Sequence, residues 1–211
     1  MSRSLFSYIV RYDSGFAPNP FYGYSTLATC KPGIRKSAQV GDWLLGMGSN
    51  QKKIRRGGYV VHAMRVSETL TTGEYWNDPR FKKKRPQVGL SLRHASGDNI
   101  YEPDGLGGWI QHNSYHSNPD GSRKANHVAR DTSVQRVLVS NEYTYWGAEG
   151  PKLPEKFQPG GQSALFNQGI GEKRTTDKKL IEEFENWYVE FGSGGFQGKP
   201  WDWLVRERSR S

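Results

Sequence analysis

Apolar and polar positions in the first third of the chain follow strand periodicity. "LFSYIV", ending at Val10, is aromatic and β-branched and predicts a first strand. "DWLLGM", Asp42 to Met47, follows a "VGD" turn and predicts a second, and "GYVVHAMRV", Gly58 to Val66, a third. The basic stretch "SNQKKIRRGG" between the last two predicts a hairpin connection. Further on, "VQRVLVSNEYTYWG" predicts two more strands. Only one segment shows clear helical spacing. In "TTDKKLIEEFENWYVEFGSGG", Leu180, Ile181, Phe184, Trp187, Tyr188 and Phe191 fall on one face, Thr176 or Asp177 suits the N-cap, and Gly192 suits the end. A short helical turn is expected near Ile34. Residues 94 to 133 are polar and loop-like, a length that marks a functional or loosely ordered insertion. The pattern predicts an α+β fold with a compact, strongly curved sheet. It forms a single domain over residues 1–205, with a basic, frayed tail over 206–211.

One stretch does not fit the strand pattern. "RYDSGFAPNPFYG", Arg11 to Gly23, follows the first strand directly. Its prolines exclude a helix, and they restrict the chain before any ligand arrives. Phe16, Phe21, Tyr22 and Tyr24 offer ring faces on which a base can stack, and Asp13, Ser14 and Asn19 offer groups that can read a base edge. The same rings can equally plug the end of a barrel, and composition leaves the two readings level.

Charge adds a partner class. The 211 residues carry a formal net charge of +9, and 13% are aromatic, which compensates for only 34% hydrophobic residues. An excess of positive charge on an aromatic-rich chain points to a polyanion, nucleic acid first. Lys52, Lys53, Arg55 and Arg56 form one basic run and Lys82, Lys83, Lys84 and Arg85 a second. Each is either a solvated face or a grip on phosphates to either side of one site, and the net charge favours the grip. Cys30 is the only cysteine, so no internal disulfide can form, which fits a reducing cytoplasm. The N-terminal apolar run is too short for a signal peptide, and no stretch approaches the length of a membrane span.

Candidate chemistry is sparse. His112, His116 and His127 lie in a Gly/Pro/Asn-rich stretch and are expected as surface loop histidines; no metal site is expected. Cys30 is a possible nucleophile with His62 as base, though a buried cysteine is commonly a small hydrophobe and His62 in a strand is a satisfied core residue by default. No phosphate-cradling glycine motif occurs, and no cofactor is expected.

The opening block "YIVRYDSGFAPNPFYGYSTLATCKPGIRKSAQVGDWLLGMGSN", with "GDNIY", "HVARDTSVQRVLVSNEYTYWG" and "GKPWDW", resembles the second type of nucleotide modification associated domain, found in prokaryotes and phages beside DNA-modification genes. More distantly, "VGDWLLGMGSN" and "VVHAMRVSETLTTGEYWNDPRF" are similar to runs in PUA-like folds of the EVE and YTH groups. That second likeness implies a small curved β-barrel with a few peripheral helices and an aromatic pocket for a modified base. The pocket would be walled by Arg11, Asp13, Ser14, Gly15, Phe16, Pro18, Asn19, Phe21, Trp43, Ser49 and Asn50. The first motif departs from EVE, having "RYDSGFAP" where EVE has a lysine-serine-acid-proline run.

The leading expectation is therefore a cytoplasmic nucleic-acid binder, DNA favoured, that captures a modified base or nucleotide on Phe16, Phe21 or Trp43 in a modification or anti-phage system. The alternative is a glycosylase-, hydrolase- or transferase-like enzyme, with Asp13 first and Asp98, Asp131 and His112 after it as acid–base groups. A third reading is a module that binds protein partners in such a system without touching nucleic acid.

Overall fold

The computed structural model describes residues 3–51, 55–167, 169 and 171–209. Strand β1 (Leu5–Val10) is followed by the Pro-rich loop, β2 (Ser25–Leu27), helix α1 (Pro32–Ser37), β3 (Trp43–Gly48) and β4 (Val60–Arg65). Next come β5 (Glu68–Leu70), α2 (Thr72–Asn77), α3 (Leu92–Ala95), the hairpin β6 (Tyr101–Pro103) and β7 (Trp109–Gln111), and α4 (Ala125–Thr132). The chain closes with β8 (Val137–Ser140), β9 (Glu142–Tyr145), β10 (Glu172–Thr175), α5 (Lys178–Phe191), β11 (Gly195–Phe196) and α6 (Trp201–Arg208).

These elements make an α+β fold around a six-stranded mixed sheet ordered β10-β1-β3-β4-β9-β11. β1 and β3 run parallel, from Leu5 against Trp43 to Val10 against Gly48. The expected barrel does not form among the described strands: the sheet stays open, with β10 and β11 at its edges, and β2-β8-β5 make a separate three-stranded sheet. The expected β3–β4 hairpin is present.

Every residue of β3 is buried because both faces of the large sheet are covered. On one face Trp43, Leu45 and Met47 pack against Ile181, Phe184 and Trp187 of α5 and against Leu153, Phe157 and Leu165. On the other, Leu44 and Phe6 meet Ile34 of α1, Leu27 of β2 and Leu138 of β8. Helix α5 starts where predicted, with the Asp177 carboxylate accepting from Leu180 N–H at 3.2 Å. Each large apolar side chain withdrawn from water here stabilises the fold by about 1.5–3 kcal/mol.

Two expectations about order are revised. Residues 94 to 133 are no bare loop: they hold the β6–β7 hairpin and α4, whose Val128 packs with Phe16, Ile100 and Tyr101 in a small core of its own. The basic tail is helical through Arg208, since α6 continues past residue 205.

Candidate functional site

The Pro-rich loop is packed shut. Phe16 lies 4.6 Å from the His116 ring, and Phe21 stacks on Trp203 of α6 with centroids 5.5 Å apart and planes at 15°. Both phenylalanines are buried, so neither ring leaves a face open to a base. Trp43 is also a core residue, holding α5 through Nε1–H to Glu185 at 2.9 Å. Gly15, at φ +74°, lies so close to the Phe21 ring that a Cβ would sit 2.7 Å from Cζ. The bond before Pro18 is cis.

The polar groups of the loop are spent on the fold. Asp13 accepts from the Tyr145 hydroxyl and, at 2.9 Å, from Trp201 N–H. Burial pushes its carboxyl up to about 6, against the lowering effect of those two bonds. Ser14 uses its carbonyl for Ser96 Oγ at 2.8 Å and Trp203 Nε1 at 3.0 Å. Asn19 donates to Ser96 O at 2.7 Å and accepts from Lys84 Nζ at 2.6 Å. Lys84 is thus buried and inaccessible to a phosphate, and burial lowers its pKa. Arg85 lies 3.7 Å over the Trp76 ring. Lys82, Lys83 and Arg55 are exposed, and Arg56 donates to Gly150 O at 3.0 Å; Lys52 and Lys53 lie outside the described residues.

A concave site does form beside the loop. Where the parallel strands β1 and β3 end, a cavity of about 390 Å³ opens between Arg11, Ser49, Asn50 and Gln51 on one side and Gln158, Phe166 and Asn167 on the other. Ile9, Gly48, Gly57, Gly58, Pro159 and Gly169 complete it. Clefts beyond the carboxyl ends of parallel strands are common ligand sites because the loops there diverge. Of the eleven expected pocket residues, only Arg11, Ser49 and Asn50 line it. The wall made by Gln158, Pro159, Phe166 and Asn167 gave no sequence signal, since its position depends on the chain returning past the start of β4.

A second group of polar residues converges around Cys30. Cys30 Sγ lies 3.4 Å from His116 Nε2, and His116 Nδ1 lies 2.5 Å from Asp131 Oδ2. Tyr101 donates its hydroxyl to Asp131 Oδ2 at 2.9 Å, and Arg130 Nε donates to Oδ1 at 3.0 Å. Burial opposes a charge on His116, but Asp131 and Cys30 outweigh it and hold the imidazole up at about 9. Burial also opposes ionisation of Asp131; His116 and Arg130 nevertheless hold it well below the usual carboxylate range.

His116 is therefore buried rather than a surface loop histidine, and it, not His62, is the partner of Cys30. His62 instead meets Ser25 Oγ at 2.9 Å, and burial pushes it down to about 3, so it stays neutral. Among the other acid–base candidates, His112 pairs with Glu102 at 2.7 Å, and Asp98 is locked by Thr26 and Tyr75 at 2.7 Å each.

Comparison with known proteins decides the family. The model for nucleotide modification associated domain 2 matches residues 2–207. The chain belongs to that family. Its description ties the domain to nucleotide modification, and the match spans both the cleft and the Cys30 cluster. No curated protein and no solved structure matches the chain. Among the described residues of this family member, no helix is long and apolar enough to cross a membrane.

Proposed function

We propose that this domain binds nucleic acid, DNA in preference, and receives a modified base or nucleotide in the cleft at the ends of β1 and β3. The observation that carries the reading is the composition of that cleft. Amide side chains (Asn50, Gln51, Asn167) and one guanidinium (Arg11) face an apolar surface made by Ile9 and Phe166. Amides offer a donor and an acceptor in one plane, which is what pairing with a base edge requires. The volume falls within the usual range for small-molecule sites, about 300–1,000 Å³. Arg55, exposed beside the cleft, and the exposed Lys82 and Lys83 supply the backbone attraction expected of a +9 chain.

This reading replaces stacking on Phe16, Phe21 or Trp43 with capture by the polar side chains of the cleft; Phe166, as buried as those rings, only closes its apolar side. It also sets aside Asp13 as an acid–base group, because both of its oxygens already hold the loop to β9 and α6. The test is binding of oligonucleotides with and without modified bases across a salt series, in the wild type and in Asn50→Ala and Arg11→Ala. Preference for a modified base that is lost in either variant supports the reading. Affinity indifferent to modification and to both substitutions overturns it, and capture of a protein partner that survives nuclease treatment would then favour a protein-interaction role.

A further inference from the structure

We propose that Cys30, His116 and Asp131 form a thiol nucleophile centre that takes an acyl group from an anionic ester, thioester or amide and transfers it to water. The proposal uses none of the cleft residues and stands or falls apart from the nucleic-acid reading.

The three side chains are in the order such chemistry needs. Asp131 Oδ2 lies 2.5 Å from His116 Nδ1, and Nε2 faces Cys30 Sγ 3.4 Å away; the imidazolium that Asp131 favours is the form reached once Nε2 holds the thiol proton. That order makes His116 the proton acceptor for the thiol and Asp131 the residue that positions it. The set does not suit a metal. Although ligand atoms of all three lie within 4.8 Å, Asp131 is already committed to Nδ1–H, Tyr101, Arg130 and Cys30 N–H, leaving two donors where zinc takes four.

The backbone is built around the thiol. Cys30 and Lys31 both lie in the left-handed region, at φ 57° and 39°, which costs energy for residues with a Cβ and persists only where the surroundings enforce it. Arg35 does the enforcing. Its fully buried guanidinium donates to Cys30 O at 2.8 Å and Asp131 O at 2.6 Å, tying the nucleophile's chain to the acid's across a hundred residues of sequence. Cys30 N–H closes the loop by donating to Asp131 Oδ1 at 3.0 Å. Cys30 itself is partly accessible.

The surroundings are cationic. Arg130 Nη2 lies 4.0 Å from Sγ and 3.5 Å from His116 Nε2, on a side chain 41% exposed. Lys31 extends over the Tyr8 ring at 5.2 Å, and the His127 ring sits 4.7 Å from that of His116. Besides these, the titratable groups facing the centre are Tyr101, Tyr8 and the internally bonded Arg35. Arg130 and Lys31 are the reachable cations, so a substrate carrying a negative group next to its acyl carbon fits best.

In the step this implies, the thiol proton passes to His116 Nε2, giving the thiolate–imidazolium pair that Asp131 stabilises, and Sγ adds to the acyl carbon. The bond to the leaving group breaks as Nε2 returns that proton to it, leaving a thioester on Cys30. Water, deprotonated by Nε2, adds to the thioester, the C–S bond breaks, and the proton goes back to sulfur. The products are the acid and the protonated leaving group, with no change of oxidation state.

Because the chain has one cysteine, it carries its own reference thiol. The probes are p-nitrophenyl acetate and the negatively charged p-nitrophenyl succinate half-ester, with nitrophenolate release followed at pH 7 and Cys30 acylation read by mass. Native protein should acylate at Cys30 at least about tenfold faster than the same chain unfolded in guanidinium chloride. It should prefer the succinate half-ester, and lose that preference in Arg130→Gln. A folded His116→Gln should lose the rate advantage. Native acylation no faster than in the unfolded chain overturns the proposal without any variant, and an undiminished rate in folded His116→Gln overturns it as well.

Discussion

Phe21 of the opening loop and Trp203 of the closing helix lie ring on ring, 5.5 Å between centroids and 15° between planes. The loop and α6 are thus held together by an aromatic contact, backed by Trp203 Nε1–H to Ser14 O at 3.0 Å and by Asp13 accepting from Trp201 N–H. The loop is a clasp for α6. Replacing Trp203 with Ala should therefore destabilise the domain by about 3–5 kcal/mol, read from the midpoint of urea unfolding. If Trp203→Ala unfolds at the wild-type midpoint, the clasp carries no weight.

Asp13 gives that clasp a pH dependence. Its folded pKa, about 6, lies above the ordinary carboxylate value, so the native state binds its proton more tightly than the unfolded chain does. Its contribution is present in full below the unfolded value, about 3.9, and is lost as pH rises through about 6. Asp13→Asn should flatten that part of the stability profile, measured by urea unfolding at pH 4, 5 and 6.

Asp131 behaves in the opposite sense to Asp13, and His116 in the same sense at higher pH. Asp131 has a depressed folded pKa, so its contribution exists above about 3.9 and is lost on acidification. His116 has a raised one, so its contribution is complete below about 6.5 and is lost as pH climbs through about 9. Replacement of Asp131 with Asn should bring the His116 titration down from about 9, visible in its ring proton shifts by NMR. A His116 titration unmoved in Asp131→Asn would show that the pair does not set it.

The two basic runs should separate cleanly. Lys83 is exposed, so Lys83→Ala should leave folding alone and lower the salt slope of nucleic-acid binding by about one unit if it meets a phosphate. Lys84 is internal, donating to Asn19 Oδ1, Asn19 O and Tyr24 O. Lys84→Met should cost about 3–5 kcal/mol in stability, because Asp98 and three acceptors lose a buried cation. The salt slope of its folded fraction should not change.

The sequence by itself determined the parts whose partners are close along the chain. Strands β1, β3 and β4, the β3–β4 hairpin and the amphipathic α5 were legible, because periods of two and 3.6 residues report which side of an element faces the core. The family was legible too, from the opening block onward. The expectation of a base-stacking pocket at Phe16 and Phe21 failed on partners far along the chain: Trp203 of α6 covers Phe21, and Ile100, Tyr101, Val128 and His116 cover Phe16. The 94–133 stretch was read as loop because its strands are three residues long, too short to show a period. His116 and Cys30 stand 86 residues apart and Cys30 and Asp131 101, in segments with no periodic signature. Only the tertiary structure decided that they meet: Arg35, spanning the carbonyls of both segments, sets the distance between side chains that carry no local record of each other.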